Sequence, residues 1–379
     1  MSNLRVAYVI NDAAFFVSHR LPLALSTIQK GGKVIVITGQ NINKILEDEA
    51  IDTLRKNKIE YKCCMFSQGF INPIFEIVGL FQLIYFLWVF RPTTVHSVTS
   101  KGNFMAAIAL NFIKKTKIII SISGLGTIFT GQTTLKKSIF LFIYKSILKI
   151  LYFRLNYTII FQNQDDFKKL ETILNLNSNN VVFVPGSGVN TTYMSPPKNK
   201  TEEMNILLPA RILFEKGIYE FFEAAKIVKN KNLKANFYIV GDNNSLNPSR
   251  IKKEEINSWV KQGFIHYLDY QKDIKSLYDK TRIVCLPSWR EGFPKVLMEA
   301  ASCGIPTVTT DVPGCRDAII DKKTGFLVPL KNPKAIADKI EILIKNKELQ
   351  KRMGKAGRLL AIRKFDLKTI IPQIVNLYV

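Results

Sequence analysis

Acidic residues are scarce in this chain and absent from one long stretch of it. The 379 residues carry 54 Lys and Arg against 30 Asp and Glu, a formal net charge of +24. Between Ile77 and Gln164 there is no Asp or Glu at all. A surface with this charge attracts anions, namely nucleic acid, anionic lipid headgroups or diphosphate-bearing substrates, and charge alone does not separate the three.

Histidine and cysteine are too few and too scattered for several kinds of site. The chain has 3 His and 5 Cys, and the cysteines form no C-x-x-C pair and have no His cluster beside them. Neither a disulfide framework nor a zinc site follows from this pattern. The first residues lack the long apolar core and the small-residue cleavage site of a signal peptide. We therefore expect a reduced, cytosolic protein.

No apolar run is both long and uninterrupted. The most apolar one, Phe70 to Phe90, contains Asn72, Pro73, Glu76 and Gln82. Membrane spans have about 20 nearly uninterrupted apolar residues. We therefore expect a buried or interfacial helix here rather than a span.

Short runs rich in Val and Ile alternate with helix-like segments along the whole chain. A chain of 379 residues exceeds the size at which one hydrophobic core stops growing, so two domains are expected. Continuous apolar runs between helices are typical of parallel strands covered on both faces, hence of doubly wound α/β domains. The expected strands are Val6 to Ile10, Val34 to Thr38, Thr94 to Ser97, Ile118 to Ile122, Thr158 to Phe161, Val181 to Val184, Asn205 to Pro209, Ala235 to Val240, Phe264 to Tyr267, Ile283 to Pro287 and Pro306 to Thr309.

A polar stretch without apolar periodicity follows Pro185 and separates the two series of strands. We place an N-terminal Rossmann-like domain at 1–186, a linker at 187–204 and a C-terminal Rossmann-like domain at 205–362. Ligands of such domains bind beyond the carboxyl ends of the strands. Two domains that face each other would therefore form a cleft lined by strand ends.

Two basic residues follow the first strand of the second domain. Arg211 comes directly after the strand, and Lys216 precedes Gly217 and a helical segment. Two fixed cations at a strand end suit a diphosphate, with Arg as a fork-shaped donor and Lys as a point charge. The alternative is a basic surface loop.

Two glutamates flank a Gly-Phe-Pro turn near the end of the strand that begins at Ile283. Glu291 lies in the loop and Glu299 in the next helix, which is expected to start near Lys295 because Pro294 suits a first helical position. The backbone N–H groups of that first turn are a ready site for a phosphate. Glu291 can accept hydrogen bonds from sugar hydroxyls, and Glu299 can bind ribose hydroxyls. The chain has no D-x-D motif for holding a divalent ion against a diphosphate, so no metal is expected.

These motifs, in this order, make the chain similar to the family-4 glycosyltransferases of the GT-B class, nearly end to end. Within that family it resembles bacterial enzymes, including N-acetylgalactosaminyltransferases, that extend polyprenyl-diphosphate-linked oligosaccharides. The matching segments are Ser18-His19-Arg20-Leu21-Pro22, Lys101-Gly102-Asn103, Ser123-Gly124-Leu125-Gly126, Arg211 to Gly217, Val240-Gly241-Asp242, His266-Tyr267-Leu268, Glu291 to Glu299 and Gly304-Ile305-Pro306.

The resemblance implies two Rossmann-like domains with parallel sheets facing across a cleft, and a C-terminal helix within 363–379 that packs back on the first domain. It implies that a hexose or N-acetylhexosamine moves from a UDP-sugar to a polyprenyl-diphosphate-linked saccharide, with retention of configuration and without a cofactor. Arg211 and Lys216 would bind the donor diphosphate. The implied donor site consists of Arg211, Lys216, Gly241, Tyr267, Leu268, Glu291, Gly292, Phe293, Pro294, Lys295, Val296 and Glu299.

Ser123 stands where many relatives carry a His close to the reacting carbon. This departure leaves the role of a donor-side His open. His19 and, second, His96 are the candidates to replace it, although a lone His is more often a packing or surface residue. The expected catalytic residues are Glu291, Arg211, Lys216 and His19.

The acid-free stretch contains a segment typical of a helix that lies on a membrane. Leu135 to Arg154 places four lysines among Ile, Leu and Phe residues. A core-facing amphipathic helix with a basic edge is the alternative. The expected contacts to the acceptor or to the cytoplasmic face of an anionic membrane are Arg20, Lys101, Lys136, Lys137, Lys145 and Lys149.

Two other functions remain open from the residues alone. A nucleotide-sugar epimerase on a similar scaffold would need acid–base carboxylates and histidines at the sugar, and the chain has only 3 His. A nucleic-acid-binding protein is suggested by charge alone. The basic segment, however, interleaves aliphatic rather than stacking aromatic residues and contains no recognised binding motif. We therefore predict a peripheral membrane enzyme without a nucleic-acid partner.

Overall fold

The chain divides into two compact units. The computed structural model describes residues 3–41, 43–67, 72–113, 116–124, 156–174, 176, 178–198, 201–243, 247 and 249–379. Unit 1 is Met1–Val184 together with Ile370–Val379, and unit 2 is Pro185–Thr369.

Unit 1 is built on a seven-stranded sheet in the order β3-β2-β1-β4-β5-β6-β7. All its pairings are parallel. The strand order reverses between β1 and β4, and such switch points open a crevice at the carboxyl ends of the strands. The strands are β1 (Arg5–Ile10), β2 (Lys33–Gln40), β3 (Glu60–Ser67), β4 (Thr94–Val98), β5 (Lys117–Ile122), β6 (Tyr157–Phe161) and β7 (Val181–Phe183).

Helices cover both faces of this sheet, which explains the continuous apolar runs of its strands. Along β1, Val6 and Tyr8 are buried in one hydrophobic cluster, whereas Ala7 and Val9 are buried in another. The described helices are α1 (Ala13–His19), α2 (Leu21–Gln29), α3 (Lys44–Lys56), α4 (Pro73–Phe90), α5 (Ser100–Leu110) and α6 (Gln164–Leu174), with a 3₁₀ turn at Ser178–Asn180.

The C-terminal helix, Leu367–Val375, and the 3₁₀ turn after it, Asn376–Tyr378, carry the chain back into unit 1. Ile370, Ile374 and Tyr378 join the buried cluster around β1. The hydroxyl of Tyr378 lies 2.9 Å from that of Tyr8 and 2.7 Å from Nδ1 of His96. Polar as well as apolar contacts therefore fix the chain end to the middle of the sheet.

Unit 2 is built on a six-stranded parallel sheet in the order β10-β9-β8-β11-β12-β13. Its strands are β8 (Asn205–Pro209), β9 (Asn236–Val240), β10 (His266–Leu268), β11 (Ile283–Leu286), β12 (Thr307–Thr310) and β13 (Gly325–Val328). Its described helices are Ile218–Asn230, Lys253–Lys261, Ile274–Asp279, Lys295–Ser302, Cys315–Ala318, Pro333–Lys345 and Lys347–Leu360, with a 3₁₀ turn at Phe214–Lys216 and a π-helical turn at Ala361–Phe365.

The expectation of two doubly wound α/β units with parallel sheets is confirmed. The structure adds two strands at sheet edges, β3 and β13. The segment expected as a linker, 187–204, packs onto unit 2, because Val189 donates its N–H to the Phe365 carbonyl at 2.8 Å and Met194 is buried.

Among the described residues, α4 is long and apolar enough to cross a membrane by length and composition. Its mean hydropathy is 1.8, and 22% of it is buried within the fold. It lies where the sequence predicts a buried or interfacial helix, and one of its sides packs on the sheet of unit 1.

Candidate active site at the strand ends of unit 2

The loop after β8 presents the two cations that the sequence singles out. Arg211 follows the strand by two residues, and Lys216 ends the 3₁₀ turn Phe214–Lys216. Gly217 comes next with φ +72°, and a Cβ atom there would lie 2.1 Å from the Pro287 carbonyl oxygen. Only glycine permits both this backbone conformation and this approach. The turn therefore packs directly on the chain that leaves β11.

That close approach brings Lys216 to Glu291. The Nζ atom of Lys216 lies 2.6 Å from Oε1 of Glu291, and the two side chains are 16% and 13% exposed. The buried hydroxyl of Ser288 donates to the same oxygen at 2.7 Å. Oε1 is thus saturated, whereas the structure records no partner for Oε2 among the described residues. A ligand hydroxyl can donate to this second oxygen.

Loops from three strand ends fix the backbone around Glu291. The N–H of Glu291 donates to the Pro313 carbonyl at 3.2 Å, and the N–H of Trp289 donates to the Glu215 carbonyl at 2.8 Å. A Cβ atom on Gly314, whose φ is +79°, would lie 2.5 Å from the Glu291 carbonyl oxygen. The carboxylate is therefore held by contacts from the loops after β8, β11 and β12 rather than by its own loop alone.

Arg211 differs from Lys216 in having no counter-ion among the described residues. It is exposed, and its side chain forms no hydrogen bond or ion pair with the part of the chain that the structure describes. The same strand-end region thus offers one uncompensated cation and one cation shared with a carboxylate. An anion that binds here is attracted by the full charge of Arg211 and by the part of the Lys216 charge that Glu291 does not neutralise.

The helix Lys295–Ser302 begins directly after this cluster. Pro294 occupies its N-cap position, and no side chain caps its first turn. The positive end of a helix dipole and its first N–H groups favour an anion at this position. The buried Gly292 and the half-buried Phe293, which packs edge-to-face on Phe365 at 5.5 Å, complete the turn before it.

Glu299 lies further along this helix in a more enclosed setting. The hydroxyl of Tyr278 donates to its Oε2 at 3.1 Å, and Nζ of Lys295 lies 3.6 Å from its Oε1. Burial raises the pKa of Glu299, and the nearby Lys295 and Tyr278 oppose that effect only in part. The Tyr278 hydroxyl also donates to the Val296 carbonyl at 3.3 Å. Glu299 is thus a positioned carboxylate with 12% of its side chain exposed.

The ends of β9 and β10 border the loop after β8 on the other side. The N–H of Gly241 donates to the Leu268 carbonyl at 3.2 Å, and the Tyr267 hydroxyl donates to the Gly241 carbonyl at 3.0 Å. A Cβ atom on Gly241 would lie 1.9 Å from the Ala210 carbonyl oxygen. The expected donor-site residues of unit 2 therefore lie at or after the carboxyl ends of strands, at the same edge of one sheet.

The histidines of unit 1 lie in different surroundings. His19, on α1, stacks on Phe15 with the ring centroids 4.1 Å apart. His96 is fully buried on β4, and its Nδ1 and Nε2 lie 2.7 Å from the Tyr378 hydroxyl and 2.8 Å from the Ser121 hydroxyl. Burial lowers the pKa of His96 well below its usual value, so this imidazole is a neutral core group.

Two basic residues expected at the acceptor or the membrane are buried. Arg20 is 2% exposed, and its Nη2 lies 3.5 Å from the hydroxyl of Ser123. Lys101 is paired with Glu76 at 2.6 Å, and its side chain is 5% exposed. The predicted membrane helix Leu135–Arg154, with Lys136, Lys137, Lys145 and Lys149, lies outside the described residues.

Within the described part of the chain, no group of three or more His, Cys, Asp or Glu could hold a metal ion. All five cysteines are free.

Comparison with known proteins indicates the activity of the chain. Residues 190–360 match the family described as "Glycosyl transferases group 1". That range includes every strand-end group described above in unit 2. The chain is a glycosyltransferase. The resemblance read from its motifs is confirmed, and the epimerase and nucleic-acid alternatives receive no support.

Relatives and solved structures agree with this identification over the whole glycosyltransferase. It is 27% identical over 99% of its length to N,N'-diacetylbacillosaminyl-diphospho-undecaprenol alpha-1,3-N-acetylgalactosaminyltransferase of Campylobacter jejuni, of which it covers 98%. It is 25% identical to the capsular polysaccharide biosynthesis glycosyltransferase CapM of Staphylococcus aureus, with 80% of each chain covered. The structure of Anabaena HepE in complex with UDP superposes with a TM-score of 0.77 at 14% identity, over 99% of both chains, and shows the same fold.

Sequence reasoning missed three contacts of the candidate site of this glycosyltransferase. It placed Lys216 and Glu291 at one site but not in an ion pair, and it did not single out Ser288 or Tyr278 as residues that hold the two glutamates. Ser288 carries a weak signal, because a polar residue at a buried strand end needs a partner. Tyr278 lies on a separate helix, and no sequence pattern links it to Glu299.

Proposed function

We propose that this glycosyltransferase moves a hexose or N-acetylhexosamine from a UDP-sugar to a saccharide carried on polyprenyl diphosphate, in surface polysaccharide or glycan assembly. The observation that carries the proposal is the cluster of Lys216, Glu291 and Ser288 beside the uncompensated Arg211. Such a cluster offers cations for a diphosphate and a fixed carboxylate oxygen for a sugar hydroxyl.

Arg211 and Lys216 would bind the diphosphate of the donor. Negative charge develops on this group as the bond to the sugar breaks, and fixed cations in a partly buried site stabilise it most at that stage. The uncapped first turn of helix Lys295–Ser302 would add backbone N–H groups to the same anion. These groups can supply the electrostatic stabilisation that a divalent ion gives elsewhere, so we propose metal-independent catalysis.

The two glutamates would bind different ends of the donor. Glu291 has one carboxylate oxygen occupied by Lys216 and Ser288 and one oxygen left for a hydroxyl of the transferred sugar. Glu299 would accept from the ribose hydroxyls, as an acidic residue does in dinucleotide-binding folds. The hydrogen bond from Tyr278 would hold its carboxylate ready for that contact.

Retention of configuration fits a reaction on one face of the sugar. The acceptor hydroxyl would attack from the side on which the diphosphate departs, and a diphosphate oxygen would take the hydroxyl proton. The glycosidic bond to the diphosphate breaks as the bond to the acceptor oxygen forms, and the proton leaves with UDP. Lys216 would stabilise the departing charge, and His19 remains the candidate to replace the His that many relatives carry near the reacting carbon.

We propose the acceptor class by analogy with the Campylobacter jejuni relative, whose name gives a diphospho-undecaprenol-linked sugar as its acceptor. An acceptor of that class is anchored in a membrane, so we propose a peripheral location on the cytoplasmic face of the cell membrane. The predicted helix Leu135–Arg154 is one candidate for membrane contact.

The proposed reaction is tested with a panel of nucleotide-sugars and a polyprenyl-diphosphate-linked saccharide. Release of UDP that requires the acceptor, with one sugar added to it, is the expected result. Release of UDP at the same rate without acceptor, or no release from any UDP-sugar, would show that the proposal is wrong.

A further inference from the structure

Helix α4 is apolar on nearly all sides, but the described residues of unit 1 pack on only one side of it. Gly79, Leu83, Leu87 and Phe90 form the buried stripe. A helix that is apolar on all sides is normally enclosed by protein or by lipid. The outward stripe, whose members are between 37% and 67% exposed, consists of Ile74, Phe75, Ile77, Val78, Phe81, Tyr85, Trp88 and Val89.

The buried stripe holds α4 flat against the sheet. A Cβ atom on Gly79 would lie 2.6 Å from the backbone nitrogen of Phe66, so the helix lies directly on β3. Leu83 and Leu87 are part of the core around β1 and β2. Crossing a membrane would pull these residues out of that core. The outward stripe can therefore meet a bilayer only along the length of the helix, parallel to the membrane plane.

The charges around the outward stripe are mainly positive. The only acid on α4 is Glu76, which is held by Lys101 at 2.6 Å with 13% of its side chain exposed. No Asp or Glu follows until Asp165. Arg91 is exposed at the C-terminal end of the helix. Nζ of Lys62, which also lies 3.9 Å from Oε1 of Glu60, is 6.0 Å from the ring centroid of Phe86. An apolar face bordered by cations complements anionic lipid headgroups and would repel a second copy of itself.

We propose that the outward face of α4 docks on an anionic lipid bilayer, with its apolar side chains in the layer between the headgroups and the acyl chains. Tyr85 and Trp88 have an apolar ring and a polar group, which suits them to this depth. This proposal rests on the proposed function in one respect. An acceptor carried on a polyprenyl lipid lies in the bilayer, so the enzyme must bind at the membrane to reach it.

Vesicle binding of the full-length chain tests this surface. The vesicles contain equimolar phosphatidylglycerol and phosphatidylcholine, and the double variant Ile77→Asp/Phe81→Asp carries two charges on the outward face. We expect its partition coefficient to fall at least tenfold. Ile45→Asp, on the acidic helix α3 with its side chain 74% exposed, is the matched control and should bind like the wild type.

Tryptophan fluorescence locates the contact. Of the 3 Trp residues, Trp88 is exposed, whereas Trp259 is buried and Trp289 lies under Lys331 in unit 2. Vesicles with bromine on the lipid acyl chains should quench the wild-type emission, and Trp88→Phe should abolish most of that quenching. Quenching that persists in Trp88→Phe would overturn the proposal.

The following results distinguish lipid binding by α4 from self-association through α4, and distinguish failure of this proposal from failure of the proposed function. Vesicle binding by the double variant equal to that of the wild type would overturn the proposal. A smaller mass of the double variant than of the wild type in sedimentation without lipid would also overturn it, because α4 would then be an interface between copies of the chain. Loss of vesicle binding with turnover on a water-soluble, short-chain acceptor within twofold of the wild type supports it. If the wild type transfers from no UDP-sugar while α4-dependent vesicle binding persists, the proposed function fails and the docking surface stands.

Discussion

Substitution of Lys216 by Ala probes the step in which the diphosphate leaves. The variant removes one of two cations at the site and leaves Glu291 with Ser288 as its remaining described partner. A charge–charge contact of about 4 Å in a partly buried site contributes about 4 kcal/mol at an effective dielectric constant of about 20. Glu291 shares this cation, so the lost transition-state stabilisation should be smaller, at about 3 kcal/mol, which corresponds to a fall in kcat of about 10²-fold.

The assay is acceptor-dependent UDP release at saturating donor, with kcat and KM measured separately. Lys226→Ala is the matched control, because Lys226 also pairs with a Glu in unit 2, at 3.1 Å from Glu223, but on a surface helix. The control should keep kcat within twofold of the wild type. A melting temperature within a few degrees of the wild type shows that the variant is folded. A kcat for folded Lys216→Ala within threefold of the wild type would refute the reasoning.

Three further outcomes follow from the same structure. Glu299→Gln should raise the donor KM more than it lowers kcat. Because burial raises the pKa of Glu299, the wild-type donor KM should rise as the pH falls through a value above the ordinary Glu pKa of about 4.3. A Gln variant whose donor KM has the same pH profile would contradict this. Tyr378→Phe removes the hydroxyl that contacts Tyr8 and His96, so the free energy of unfolding of unit 1 should fall by about 1–3 kcal/mol in urea denaturation, and an unchanged midpoint would count against this contact. Transfer in excess EDTA should equal transfer in magnesium buffer, and a strict need for Mg²⁺ or Mn²⁺ would contradict binding of the diphosphate by side chains alone.

The central strands could be predicted from sequence because they are buried on both faces. β1 and β8 are mostly apolar, β5 contains three consecutive Ile residues, and all three strands lie in the interior of their sheets. The edge strand β3 was missed for a physical reason. In β3, Glu60 and Lys62 alternate with less polar residues, since an edge strand keeps one side in water.

The strand-end position of Arg211, Lys216 and Glu291 could be predicted because the loops of a parallel sheet gather at one edge. The ion pair between Lys216 and Glu291 could not, because it depends on the approach of Gly217 to Pro287 across 70 residues of chain. The burial of Lys101 could not be predicted from the sequence for a similar reason, because its partner Glu76 lies on another helix. Residue type and local pattern indicate which groups reach an edge of the sheet, but not which of them pair.

The most direct test uses a UDP-sugar and a polyprenyl-diphosphate-linked saccharide as substrates in the presence of EDTA. Proton NMR then determines the structure and the anomeric configuration of the product. The account predicts an acceptor extended by one sugar with the anomeric configuration of the donor, and no measurable product from the Arg211→Ala/Lys216→Ala variant. A product of inverted configuration, or equal product from the wild type and that variant, would contradict it.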